Sequence, residues 1–153
     1  MNRTIKRILP MSEYIMKFDG CSKGNPGHSG AGAVIYQNNI EIWGGHKYIG
    51  HFKTNNEAEY SGLILGLQKA NELNIANLLV CGDSQIVINQ MRKEYKVKSV
   101  KLLDLHKEAD ELSKTFTSII FEHIYRGENT RADHLSNLAV IDLFKYENNK
   151  HRN

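Results

Sequence analysis

Residues 15–27 read IMKFDGCSKGNPG, an apolar run that carries one acid and then breaks into turn-forming residues. Ile15, Met16 and Phe18 predict a strand near the centre of a sheet, and the Gly, Ser, Asn and Pro residues that follow predict a turn directly after Asp19. An ionised carboxylate at a buried strand end requires a cation, a metal ion or several hydrogen-bond donors. The fold must therefore bring partners for Asp19 from elsewhere in the chain.

The composition is that of one globular domain. The chain has 153 residues, of which 41% are hydrophobic and 24% charged, enough to bury roughly two-thirds of the surface that the unfolded form exposes. The formal net charge of +3 permits a nucleic-acid partner without requiring one. Two cysteines are too few for a disulfide framework, and no apolar run approaches the ~20 residues that span a bilayer. We expect a soluble intracellular protein without a membrane partner, cytoplasmic if its source is prokaryotic.

The chain divides into a domain and two polar ends. Residues 1–12 are predicted to be a flexible N-terminal extension. They are basic but lack the hydrophobic region of a secretory signal. Met11 is an alternative start. Residues 13–145 are predicted to form the domain, and residues 146–153 a polar C-terminal tail that frays.

The predicted order of elements is three strands, a helix, a strand, two helices, a strand and a helix. Thr54 and Glu57 form a Thr-x-x-Glu capping box, which sets the start of the first helix. The elements are strands over 15–19, 30–36, 40–48, 78–83 and 118–125, and helices over 55–74, from 84 to 88 or 91, over 100–114, and from 129 or 130 onward. This order predicts an α/β fold in which the first three strands are antiparallel.

Four acids lie where this topology can bring them together. Asp19 and Asp83 end predicted strands, while Glu59 and Asp133 lie in the first turns of predicted helices. Carboxylates grouped in this way repel one another unless divalent cations neutralise them. Hard oxygen ligands suit Mg²⁺ or Mn²⁺, and a pair of such ions can activate water and stabilise the leaving oxygen of a phosphodiester.

Structural interpretations of these acids compete with the metal hypothesis. Asp83 would cap the helix that begins at Ser84, and Asp133 is favoured by the positive start of a helix. The capping box explains Glu57 and leaves Glu59 as the functional candidate of that pair. Both interpretations stay open for each acid except Asp19, so the metal hypothesis depends on their joint placement.

Four motifs follow one another along the chain: Asp19-Gly20-x-Ser-x-Gly-Asn-Pro-Gly, Thr54-Asn55-Asn56-x-Ala58-Glu59, Gly82-Asp83-Ser84 and Arg126-x-x-Asn129-x-x-Ala132-Asp133-x-Leu135. They resemble the motifs of the type 1 ribonuclease H family, in the order in which that family has them. The resemblance covers residues 15 to about 143. It implies a ribonuclease H-like fold, with a five-stranded mixed sheet flanked by helices.

The same resemblance implies a metal-dependent endonuclease that hydrolyses the RNA strand of RNA/DNA hybrids and leaves 5′-phosphate and 3′-hydroxyl ends. By it, Asp19, Glu59, Asp83 and Asp133 are catalytic acids that bind two Mg²⁺ or Mn²⁺ ions. It also places six polar residues on the substrate, with Thr54 on a DNA phosphate and five near the minor groove: Ser22, Asn25, Asn55, Asn56 and Gln85. Turn formation is the alternative role of Ser22 and Asn25, and capping that of Thr54.

The sequence departs from many relatives in two places. The interval at residues 92–101 is too short for the extra basic helix that some members have, so the chain resembles the compact subgroup; these basic residues either follow phosphates or form a solvated loop. The connection before Asp133 is also short, and Arg126 resembles the arginine that compact relatives place there. We favour Arg126 over His123 as the further catalytic residue, with a phosphate rather than a proton as its target.

Two other functions remain possible on this sequence. The chain could be a hybrid-binding module that has lost catalysis, although all four acids are present. It could instead be the nuclease domain of a larger polymerase-type protein. The sequence implies no obligate protein partner, and we expect a monomer.

Overall fold

The computed structural model describes residues 13–152, with side chains to Lys150. The predicted extension over residues 1–12, and with it Met11, lies outside the described residues. The five strands are β1 (Tyr14–Lys23), β2 (Gly27–Gln37), β3 (Ile40–Lys53), β4 (Asn77–Gly82) and β5 (Ser118–His123). The helices are α1 (Asn55–Glu72), α2 (Gln85–Met91), α3 (Val100–Ser113) and α4 (Thr130–Arg152), with a short 3₁₀ helix at Arg126–Glu128.

The strands form one mixed sheet in the order β3-β2-β1-β4-β5. The first three strands pair antiparallel, whereas β4 runs parallel to both β1 and β5. The predicted fold class is therefore confirmed. Asn38 and Asn39 turn the chain between β2 and β3 with φ angles of 49° and 67°, which is the left-handed conformation required by a two-residue hairpin turn.

Helices cover both faces of the sheet. Ile35 of β2 belongs to the main core beside Leu63 of α1, whereas its neighbour Val34 packs against Ala132 and Leu135 of α4. Successive side chains of a strand point to opposite faces, so α1 and α4 lie on opposite sides of the sheet. The central strands are thus buried on both faces, which explains the apolar run without alternation in β4.

The predicted turn directly after Asp19 is wrong, because β1 continues to Lys23. Asp19 pairs with Gly32 of β2, and the pairing continues to Lys23 and His28. The turn comes only at residues 24–26, where Gly24 has a φ of 122°. The parallel pairing with β4, however, ends one residue before Asp19, at Phe18 and Gly82. Asp19 therefore lies inside a strand but at the point where β1 and β4 separate.

Other boundaries differ by a few residues. β3 runs to Lys53 rather than to residue 48, and β5 ends at His123. The last helix continues to Arg152, so residues 146–152 are helical rather than frayed. That segment, KYENNKHRN, contains neither of the usual helix-stopping residues, Gly and Pro.

Candidate active site

Three of the four predicted acids come together at one end of the sheet. Asp19 projects from β1, Glu59 from the second turn of α1, and Asp83 follows the last residue of β4. Each offers a carboxylate oxygen, and these oxygens lie within 4.8 Å of one another. Residues separated by up to 64 positions thus form one cluster of negative charge.

Glycines allow α1 to reach β1 at this point. A Cβ atom added to Gly62 would lie 2.3 Å from the carbonyl oxygen of Asp19, and one added to Gly20 would lie 2.1 Å from the carbonyl carbon of Ala58. Real Cβ atoms do not approach backbone so closely, so no other residue fits at either position without a shift of the helix. The close contact places Glu59 against Asp19.

The site holds more negative charge than its surroundings compensate. Asp19 is 5% exposed and Glu59 8% exposed. Burial raises the pKa of Asp19 to about 7, although hydrogen bonding with Glu59 opposes the rise, and the charge of Asp83 adds to it. Burial and then the charge of Asp19 raise the pKa of Glu59 well above its ordinary value. Glu59 Oε2 is buried and has no hydrogen-bond partner among the described residues.

This arrangement fits a hard divalent cation. The ligand atoms that the three acids offer are all carboxylate oxygens, which are the ligands that Mg²⁺ and Mn²⁺ prefer. A cation would offset the repulsion between the acids and provide a partner for the unpaired oxygen of Glu59. Asp19, Glu59 and Asp83 are therefore the residues that can hold a metal ion here.

Asp133 lies at the edge of this cluster. It is in the first turn of α4 and exposed to solvent, and its charge contributes to the raised pKa of Asp19. Asn137 donates to its carboxylate Oδ1 at 3.3 Å and to its backbone carbonyl at 2.9 Å. The structure thus places Asp133 near the three clustered acids without including it in the group within 4.8 Å.

The capping interpretation of Asp83 is wrong. Ser84 is the N-cap of α2, and its Oγ accepts from the backbone N–H of Val87 at 3.3 Å. The carboxylate Oδ2 of Asp83 instead accepts from Asn129 Nδ2 at 3.1 Å. The capping box predicted for α1 is confirmed, since Thr54 Oγ1 accepts from Glu57 N and Glu57 Oε1 accepts from Thr54 N, both at 3.2 Å.

Comparison with known proteins gives the family. A family model described as reverse transcriptase-like matches residues 17–139. The crystal structure of RNase H1 from the halophilic archaeon Halobacterium salinarum has a TM-score of 0.81 and 34% identity, covering 84% of this chain and 98% of that one. The chain belongs to the type 1 ribonuclease H family. LC11-RNase H1, solved in complex with an RNA/DNA hybrid, has a TM-score of 0.81 and 31% identity over 86% of this chain and 99% of that one.

A bifunctional protein of Mycobacterium tuberculosis is 40% identical over 130 residues, which are 84% of this chain. The match is 35% of that relative's length, so this ribonuclease H chain spans about a third of it. No helix among residues 13–152 has the length and apolar character needed to cross a membrane.

Three of the predicted substrate residues form one hydrogen-bond network in this family member. Ser22 N donates to Asn55 Oδ1 at 3.0 Å, Asn55 N donates to Asn25 Oδ1 at 3.0 Å, and Asn25 N donates to Ser22 Oγ at 3.2 Å. The network joins the end of β1 and the turn after it to the first residue of α1. It fixes polar side chains of two separate elements in one surface.

The other predicted substrate residues are near α1 or α2 but outside that network. The Thr54 side chain is used in the capping box. Asn56 is half-buried in the first turn of α1, and Gln85 is exposed as the first residue of α2. Among the described side chains, neither Asn56 nor Gln85 has a hydrogen-bond partner, which leaves both amides available to a ligand.

The two candidates for the further catalytic residue have different surroundings. Arg126 is exposed in the 3₁₀ helix, and its charge lowers the pKa of Glu59 against the larger effects that raise it. His123 ends β5, and its Nε2 lies 3.1 Å from the backbone carbonyl oxygen of Asp83. Because a carbonyl oxygen only accepts, that nitrogen is the donor and carries the proton.

The basic segment at residues 92–101 is only partly neutralised. Lys93 Nζ contacts Asp110 at 2.7 Å, and Arg92 contacts Glu94 at 3.5 Å. Within the part of the chain that the structure describes, Lys96, Lys98 and Lys101 form no ion pair. These exposed cations can contact phosphates or stay solvated.

Sequence reasoning missed one residue of the site. Asn129 is 1% exposed and donates to Phe18 O at 2.9 Å as well as to Asp83. The available signal was its fixed place in the fourth motif, four residues before Asp133.

Proposed function

We propose that this chain is an endonuclease that hydrolyses the RNA strand of RNA/DNA hybrids and releases 5′-phosphate and 3′-hydroxyl ends. The observation that carries the proposal is the cluster of Asp19, Glu59 and Asp83, whose carboxylate oxygens lie within 4.8 Å in a family whose members are named ribonuclease H. The similar LC11-RNase H1 was solved with such a hybrid, which supports the substrate class.

Asp19, Glu59, Asp83 and Asp133 would together hold two Mg²⁺ or Mn²⁺ ions. Bound there, the ions would supply Lewis-acid activation of a water molecule and neutralise negative charge on the leaving oxygen. The three clustered acids come from β1, α1 and the end of β4, which are rigid elements that fix their spacing. Asp133 lies on α4, on the opposite side of the sheet from α1, and is exposed. From this position its carboxylate can adjust when substrate binds.

Arg126 is proposed to hold a phosphate of the RNA strand beside the acids. Its guanidinium stays protonated and cannot accept a proton from water, but its charge can stabilise a phosphate oxygen. His123 is not assigned this role, because its Nε2 donates to the backbone of Asp83 and thereby helps to fix the residues that follow β4.

The network of Ser22, Asn25 and Asn55 is proposed to contact the minor groove. Recognition of a hybrid requires donors and acceptors that distinguish 2′-hydroxyls on one strand from their absence on the other. Among the described side chains, Asn56 and Gln85 offer further amides without a hydrogen-bond partner, and Thr54 is assigned to a DNA phosphate as well as to its cap. These residues lie at the end of β1, in the turn between β1 and β2, and at the N-termini of α1 and α2.

Cleavage of labelled duplexes tests the proposal. RNA/DNA hybrid, double-stranded RNA and double-stranded DNA are each incubated with Mg²⁺, Mn²⁺ or a chelator, and the product ends are identified by ligation and by phosphatase treatment. We expect cleavage of the RNA strand of the hybrid with either metal, none with chelator, and loss of cleavage in Asp83→Asn shown to be folded by circular dichroism.

Binding of the hybrid without cleavage in either metal would contradict the proposal and favour an inactive binding module. Wild-type cleavage by Asp83→Asn would contradict the metal assignment alone. Size-exclusion chromatography with light scattering on the same samples tests the expectation of a monomer without an obligate protein partner.

A further inference from the structure

Asn129 is a buried polar residue at the junction of the elements that carry the acids. Its backbone N–H donates to the carbonyl oxygen of Arg126 at 3.0 Å, and its carbonyl oxygen accepts from Asp133 N at 3.1 Å. The residue therefore closes the 3₁₀ helix and opens α4. It is 1% exposed, so its side chain faces the protein interior.

The side-chain amide of Asn129 joins two strands. Nδ2 donates one hydrogen to the backbone carbonyl of Phe18, at 2.9 Å, and the other to Asp83 Oδ2, at 3.1 Å. Both partners are acceptors only, so the amide can be oriented in just one way. Phe18 directly precedes Asp19, and the same amide thus links β1, the end of β4 and the start of α4.

Only the nitrogen of the Asn129 side-chain amide forms hydrogen bonds to described residues, and its oxygen does not. Asn129 Oδ1 is buried and has no partner among the described residues. An unpaired buried carbonyl is unfavourable, and an apolar side chain of similar volume would avoid it. Packing alone therefore does not account for an amide here, whereas donation to a carboxylate does.

We infer that Asn129 is a positioning residue, which holds one oxygen of Asp83 so that the carboxylate presents its other oxygen to a divalent cation shared with Asp19 and Glu59. The inference rests on the proposed function, since it assumes that Asp83 is a metal ligand. Hydrogen bonds from outside the ligand set fix the orientation of ligating carboxylates, and their loss commonly weakens metal affinity by about 10- to 100-fold.

Metal binding without substrate separates this role from a purely structural one. Mn²⁺ is titrated by calorimetry into the wild-type chain and into Asn129→Ala, Asn129→Leu, Asp83→Asn and Val140→Ala. Asn129→Leu keeps the branched shape and the number of side-chain non-hydrogen atoms and removes the unpaired oxygen, so it is expected to fold even if the alanine variant does not. Val140 is a buried residue of the same helix, 1% exposed, and serves as the matched control for lost stability.

We expect both Asn129 variants to raise the Mn²⁺ dissociation constant about 10- to 100-fold, and Val140→Ala to leave it unchanged despite a lower melting temperature. On a hybrid substrate at saturating Mn²⁺, Asn129→Leu should lower kcat and leave KM unchanged, because the substrate groove is intact.

Two outcomes overturn the inference in distinguishable ways. If Asp83→Asn binds Mn²⁺ as the wild type does, the metal assignment under the proposed function is wrong and the role of Asn129 falls with it. If Asp83→Asn loses Mn²⁺ binding but both Asn129 variants bind like the wild type, the proposed function stands and Asn129 contributes to folding alone.

Discussion

Asp19 is the residue where stability and chemistry are opposed. It is buried in β1, beside Glu59 and Asp83. Among the described residues, its carboxylate accepts one backbone hydrogen bond, from Gly20 N at 2.9 Å. Such a group favours the protonated form and weakens the fold when it ionises. A buried carboxylate that weakens the fold in this way is consistent with a role in binding a cation.

Asp19→Asn should therefore stabilise the metal-free protein at alkaline pH. The pKa of Asp19 is about 7 in the folded chain and 3.8 ordinarily. Between these values the folded state binds more protons than the unfolded state, so the free energy of unfolding of the wild type falls as pH rises through this window. Asn does not titrate, so above pH 7 the free energy of unfolding of Asp19→Asn should exceed that of the wild type by a few kcal/mol, at roughly 1.4 kcal/mol per pKa unit. The difference should shrink towards pH 4.

Urea unfolding in chelator at several pH values measures this difference. Asp104→Asn on α3 makes the same chemical change at an exposed position and is the control, expected to follow the wild type. A pH dependence for Asp19→Asn identical to that of the wild type would show that Asp19 does not carry the strain.

Arg126 and His123 should respond differently to substitution. Arg126→Ala is expected to lower kcat/KM for the hybrid about 10-fold or more, because a hydrogen bond to a charged group contributes about 1.5–3 kcal/mol; Arg126→Lys should retain part of the activity. His123→Gln places an amide N–H where His123 Nε2 donates to the carbonyl of Asp83 and should change activity less. Steady-state kinetics over a pH series decides, and loss of one limb of the profile in His123→Gln would assign a proton transfer to His123.

At the scale of elements, the contact between α1 and β1 determines the geometry of the site. Gly62 lies where a Cβ would approach the carbonyl oxygen of Asp19 to 2.3 Å. The helix cannot relieve this overlap by a side-chain movement, since both atoms belong to backbone or are fixed to it. A larger residue would therefore move α1, and Glu59 with it, away from β1.

Gly62→Ala is expected to destabilise the protein by about 1–3 kcal/mol or more and to lower hybrid cleavage beyond what the lost stability explains. Gly127→Ala is the matched control, because a Cβ there meets nothing within 4 Å. Thermal melts and single-turnover cleavage at a temperature where both variants are folded provide the comparison. Equal effects of the two substitutions would show that the close approach of α1 does not position Glu59.

The elements that could be predicted from sequence are those fixed by local interactions. The capping box that begins α1 depends only on Thr54 and Glu57, and it is present. The end of β1 could not be predicted, because it is set by pairing with β2 as far as His28. The end of α4 was not predicted because no Gly or Pro follows Lys145 to mark it.

The site was predicted in the same uneven way. Its acids were recognisable because each falls in one of the four motifs, and Asp19, Glu59 and Asp83 do come together. Asn129 was missed because its role lies in contacts with Phe18 and Asp83, which are 111 and 46 residues away in sequence. A local pattern contains no record of such partners.

At the scale of the whole molecule, the buried contacts end before the chain does. The core clusters on the two faces of the sheet draw on α4 only through its first three turns, which include Ala132 and Leu135, and Ala139 and Val140 are also buried. Beyond Ile141 the side chains to Lys150 are half-buried or exposed. We propose on this basis that residues 13–145 form the complete folding and catalytic unit.

A chain of residues 13–145 should cleave the hybrid with kcat/KM within about twofold of the full chain. Removal of the residues after 145 should cost no more than about 0.5 kcal/mol of stability, as is usual for changes away from buried features. The 13–145 chain keeps Phe144, whose ring lies 5.3 Å from that of His28. A chain ending at residue 137 loses Ala139 and Val140 from the core, and it should fail to fold. Chemical denaturation and cleavage assays compare the three chains. Loss of hybrid affinity in a folded 13–145 chain would show that the polar ends contact substrate, because the core retained in that chain already contains every proposed site residue.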